Sequence, residues 1–103
     1  MGFINAIKNG WYAGKGFKAS RHEKYEKALY YYDLALKYSD NCHDPVIYDS
    51  MAFALYKLNR YEEAVINTRK SLEQYSSYKG DYQKIYERIE RLKGLEELLQ
   101  KKK

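Results

Sequence analysis

Lys24-Tyr25-Glu26-Lys27-Ala28-Leu29 and Arg60-Tyr61-Glu62-Glu63-Ala64-Val65 read alike position by position: basic, Tyr, Glu, charged, Ala, aliphatic. Their tyrosines stand 36 residues apart. A fixed period of roughly 20–50 residues marks a chain built from stacked supersecondary units. From the first anchor, Tyr25, Ala28, Leu29, Tyr32, Ala35 and Leu36 recur at three- and four-residue steps, the spacing of one buried helix face. Tyr61, Ala64, Val65, Thr68 and Leu72 repeat the pattern, with Thr68 and Ser71 where Tyr32 and Ala35 stand in the first copy.

Ahead of the second anchor the spacing predicts another helix, from Pro45 to Leu58, with Tyr48, Met51, Ala52 and Leu55 on one face. Asp44 suits the cap of its first turn, and Pro45 suits the first helical position, where no N–H is needed. Asn59 is a turn residue between this helix and the next. Carried back to the first copy, the register places a helix over residues 9–22, with Tyr12 and Gly16 at its large and small positions. Gly10, Gly14 and Gly16 each disfavour a helix interior by about 1 kcal/mol against Ala, so a loop over Gly10–Gly16 is the alternative. A glycine at the small position also has a mechanical use, since it lets paired helices approach closely. Carried forward by 34 residues, the register returns Tyr82, Ile85, Tyr86 and Ile89, followed by Leu92, Leu95, Leu98, Leu99 and the terminal lysines. That last helix lacks a second helix to pair with and reads as a cap.

In this pattern of large, small and aromatic positions the chain resembles the tetratricopeptide repeat (TPR) family. Tyr48, Met51, Ala52 and Leu55 match the family's first helix, and Tyr61 and Ala64 match its second, from which Thr68 and Ser71 depart. The resemblance implies an all-α fold: a short right-handed helical-hairpin solenoid of about two repeats plus a C-terminal capping helix. It divides the single domain into an N-terminal segment (1–8), repeat one (9–44), repeat two (45–78) and a capping helix with a basic tail (79–103).

Such solenoids hold a peptide or helix of another protein in the concave groove lined by their first helices. Transferred here, the groove-facing residues are Ala13, Phe17, Ser20 and Arg21, then Asp49, Phe53, Tyr56 and Lys57, then Glu87, Glu90 and Arg91 from the cap. Phe17, Arg21, Asp49, Phe53, Tyr56 and Lys57 are the candidate partner-binding residues. Phe17 and Phe53 fall off the core register, and an aromatic ring on a solvent face marks an interface, unless the chain fills its own groove. The lysine and asparagine clamp that some family members use for chaperone tails is missing where Ala13, Phe17, Asp49 and Phe53 stand.

The balance of 45% hydrophobic and 32% charged residues is that of a folded domain, not of a chain starved of apolar surface. Residues 1–24 carry five basic side chains against one carboxylate, and residues 76–103 eight against five, so both ends are basic. The middle carries six against eight. Basic ends with thirteen tyrosines allow a second reading, a helical-repeat RNA-binding module. Phe3, Ile4 and Ile7 with Trp11 close behind form a short amphipathic stretch that can pack on the first repeat, on a partner subunit or on a membrane surface. A homodimer is a further expectation for so short a solenoid.

No window approaches the roughly 20 apolar residues of a membrane-spanning helix. The single cysteine, Cys42, with no opening signal segment, points to a cytoplasmic location. Cys42 and His43 lack the further ligands of a zinc site and the surroundings of a nucleophile and base. The sequence therefore predicts a non-enzymatic adaptor or chaperone-like module with no metal and no cofactor.

Overall fold

The computed structural model describes residues 2–39, 44–75 and 82–102. Five α-helices follow in order: α1 (Gly2–Arg21), α2 (Tyr25–Lys37), α3 (Asp44–Lys57), α4 (Tyr61–Tyr75) and α5 (Tyr82–Lys102). There is no strand among the described residues. Each helix packs on the next in sequence, and α1 also touches α3. The molecule measures 45 × 33 × 19 Å, its short dimension about two helix diameters.

Two turns define the hairpins α1–α2 and α3–α4. In the first, Glu23 sits at φ 60°, Lys24 N–H donates to the Ala19 carbonyl at 2.9 Å, and Glu23 N–H donates to Ser20 at 2.9 Å. In the second, Asn59 sits at φ 62°, Arg60 N–H donates to Leu55 at 2.9 Å, and Asn59 N–H donates to Tyr56 at 3.0 Å. Each is a helix C-terminus closed by a left-handed residue with the nested bonds of a Schellman motif. Turn and bonds recur at the same 36-residue offset as Tyr25 and Tyr61.

The core grows from small residues at the helix crossings. Ala28, Ala35, Ala54 and Ala64 are wholly buried, with Leu29, Tyr32, Ile47 and Leu55 filling the space between them. Gly16 and Tyr32 form the tightest approach: a Cβ built on Gly16 would stand 2.4 Å from Tyr32 Cε1. The Tyr32 ring occupies the volume a side chain at position 16 would need. Its hydroxyl reaches Ser20 on α1 and Ser50 on α3, joining three helices, and burial raises its pKa against the pull of those two hydrogen bonds.

Several buried polar side chains have hydrogen-bond partners, while Asp44 Oδ1 is buried without one among the described residues. Asn9 Nδ2 donates to the Ala35 carbonyl at 2.8 Å, Ser71 Oγ to the Pro45 carbonyl at 2.9 Å, and Thr68 Oγ1 to the Ala64 carbonyl at 2.8 Å. Ser39 Oγ donates to Asp44 Oδ2 at 2.5 Å, tying the end of α2 to the start of α3.

α1 is continuous, so the expected N-terminal segment 1–8 and the first helix of repeat one are one element rather than two. Gly10 and Gly14 face open space. Their intrinsic penalty is outweighed because Asn9, Ala13, Gly16 and Ala19 bury the opposite face of the helix. Tyr48, Met51, Ala52 and Leu55 do pack inward, with Tyr48 partly buried. In the third register Ile89 is exposed, and among the described side chains of α5 Leu95 is the buried one. The side chains of Tyr82, Ile85 and Tyr86 lie outside the described ones.

Candidate functional site

α1, α3 and α5 present one continuous face with two adjoining depressions. The first, of about 390 Å³, lies between α1 and α3 and is lined by Phe17, Arg21, Tyr32, Asp49, Phe53 and Arg91. The second, of about 370 Å³, lies between α3 and α5 and is lined by Ala52, Phe53, Tyr56, Gly94, Leu95 and Leu98, with Arg91 at its edge. Phe53 and Arg91 border both.

The expected residues divide in an informative way. Phe53 keeps 42% of its surface exposed, and its ring meets Tyr25 edge-on at 6.1 Å. The Lys57 ammonium sits 5.6 Å from the same ring. Tyr56 is similarly exposed and leans against Tyr61 at 5.8 Å. Asp49 is partly buried and pairs with Arg91 across the face. Arg21 is exposed beside them.

Phe17 differs from its equivalent Phe53. It is half-buried and packs on Tyr32 at 5.6 Å, so it forms a wall more than a contact surface. At the matching place in the second hairpin stands Thr68, too small to hold an aromatic ring, and Phe53 turns toward Tyr25 and solvent instead. Ala13, expected to face the groove, is buried in the core against α2.

Sequence reasoning missed Leu95 and Leu98 as lining residues. Their signal was present in the spacing of Leu92, Leu95 and Leu99, which reads equally well as a core stripe. α5 packs on α4, whereas among the described residues no Cα of α5 comes within 8 Å of α3. Leu98 therefore borders an open gap rather than a closed interface.

On other surfaces, Glu26, Leu29, Tyr30, Asp33, Arg60 and Glu63 line a polar hollow of about 390 Å³. Arg60 Nε holds Glu63 at 2.6 Å, and its hydrogen bond keeps the Glu63 carboxyl below the usual carboxylate range. Burial raises the Asp33 carboxyl, opposed by the charge of Arg60. Among the described residues no group of three His, Cys, Asp or Glu is placed to hold a metal ion, and no helix is long and apolar enough to cross a membrane. Cys42 and His43 lie outside the described residues.

Comparison with protein-family models, with curated proteins and with solved structures finds no match.

Proposed function

We propose that the chain is a TPR-like, solenoid-forming interaction module, an adaptor or chaperone-like protein of the cytoplasm, that holds a peptide or helix of another protein along the α1–α3–α5 face. The observation that carries this reading is the pair of adjoining depressions meeting at Phe53. One is walled by aromatic rings with Arg21, Asp49 and Arg91 at hand, and the other is mostly apolar. An apolar stretch flanked by a few placed charges fits an amphipathic helix or an extended peptide with alternating anchors.

The test is capture from an extract of the source cell with the unaltered chain, Phe53→Ala and Leu98→Lys in parallel. A partner retained by the unaltered chain and lost by both variants, with helical circular dichroism unchanged, is the expected result. Undiminished capture by both variants sinks the groove assignment. The alternative, an RNA-binding helical module, has lysine-rich surface in its favour, and material released by nuclease would replace the protein reading with that one.

A further inference from the structure

The face of α1 opposite its buried side carries an arrangement that neither the core nor the groove uses. Phe3, Ile4, Ile7 and Trp11 are 79%, 62%, 56% and 59% exposed. At 3.6 residues per turn, Phe3, Ile4, Ile7, Trp11, Lys15 and Lys18 fall within about a third of the helix circumference. The buried Asn9, Ala13 and Gly16 lie on the opposite side. Half of the stripe is therefore apolar and half basic, in one line along the helix.

The basic half opens into a cleft of about 200 Å³ between α1 and α2, lined by Lys15, Lys18, His22, Lys24, Lys27 and Tyr31. No carboxylate lines it. Among the described residues Lys18, Lys24 and Lys27 have no ion-pair partner. Lys15 joins the two halves, its ammonium 4.4 Å from the Trp11 ring and 5.5 Å from the Tyr31 ring.

We propose that this face docks flat on an anionic lipid bilayer, with Phe3, Ile4, Ile7 and Trp11 in the boundary between headgroups and acyl chains and the lysine cleft on the headgroups. Interfacial binding of an amphipathic helix strengthens with buried apolar area and with attraction to anionic lipids, and α1 brings both to one side. A phosphate backbone would answer the lysines and leave Phe3, Ile4 and Ile7 in water. A second copy would bring the same lysines and no carboxylates to the cleft. Four apolar side chains on one helix also fall short of the ~800 Å² per partner of a standard protein interface.

Trp11 is the one tryptophan of the chain, so its fluorescence reports on this face alone. Titration with vesicles of phosphatidylcholine and phosphatidylserine is expected to blue-shift Trp11, and acyl chains brominated near the headgroup are expected to quench it. Pure phosphatidylcholine vesicles should bind far more weakly. Lys18→Gln with Lys27→Gln should lower partitioning about 30-fold, from roughly fivefold per lysine at an anionic surface. Phe3→Asp with Ile7→Asp should abolish the shift while leaving the helical signal intact. An unshifted Trp11 on anionic vesicles at low salt would overturn the proposal, as would binding equal on neutral vesicles. Saturable Trp11 quenching by a single-stranded oligonucleotide without vesicle binding would assign the face to nucleic acid instead. A Trp11 shift that follows protein concentration alone would assign it to a second copy.

Discussion

The hairpins α1–α2 and α3–α4 share a turn and a register but reach close packing by opposite chemistry. At the tightest crossing the first sets glycine against a large ring, Gly16 on Tyr32, where the second has Ala52 and Thr68. At the next crossing the first uses an α1 side chain, Asn9, to donate to a carbonyl of α2. The second uses an α4 side chain, Ser71, to donate to a carbonyl of α3. Positions 9 and 45 correspond, as do 35 and 71, so the same bridge spans the same gap with donor and acceptor exchanged. Backbone geometry is what repeats; the side chains need only close the crossing and supply a hydrogen bond to a carbonyl buried in it.

The strongest way to break this comparison is Gly16→Ala. Tyr32 is enclosed by Phe17 and by Ser20 and Ser50, so its ring cannot yield, and a loss of about 2–3 kcal/mol is expected in denaturant unfolding. Combining Gly16→Ala with Tyr32→Thr rebuilds the second hairpin's pair, and the double-mutant cycle should return a favourable coupling of about 1 kcal/mol or more. Strict additivity would show that the two crossings are not equivalent. Next in size, Asn9→Ala removes a buried donor and should cost about 1–3 kcal/mol, with Ser71→Ala at about 1 kcal/mol. Equal costs would mean that the hydrogen bond alone, and not the lost volume of Asn9, decides the site.

The turns sharpen the comparison in the stabilising direction. Glu23→Gly should raise stability by about 1 kcal/mol, because Glu is strained at φ 60°. Asn59→Gly should gain less, since Asn tolerates that region. A thermal melt distinguishes them. Smallest is the effect of Arg60→Met, which frees Glu63 at the surface. Because Glu63 titrates lower in the folded chain, the pair's contribution is present above the carboxylate's unfolded pKa and disappears as pH falls through the folded value. The variant and the unaltered chain should therefore converge in acid, and added salt should erase the difference near neutrality.

Local patterns carried much of this into the sequence. The helices from Tyr25 and Tyr61 were legible because period and composition agree over a dozen residues, and Gly16 was legible as a place where helices approach. Ile47 and Ala54 were not. Both are wholly buried, yet they lie off the Tyr48–Leu55 face, because α3 has neighbours on more than one side. Burial of that kind depends on how helices assemble and leaves no single stripe. The candidate groove was half legible for the same reason. Register put Phe17 and Phe53 on equal terms, and only the partner across the crossing, Tyr32 or Thr68, separates a wall from an exposed ring. The continuity of α1 was hidden by Gly10 and Gly14, whose cost is local while the compensating burial is tertiary.

The salt bridge between Arg91 and Asp49 has a mechanical meaning. α5 is seated along α4 and has no Cα within 8 Å of α3 among the described residues, so the Arg91–Asp49 pair is a side-chain tie between α5 and α3. An occupant of the gap bordered by Leu98 that carries its own carboxylate toward Arg91 would compete with Asp49 for it.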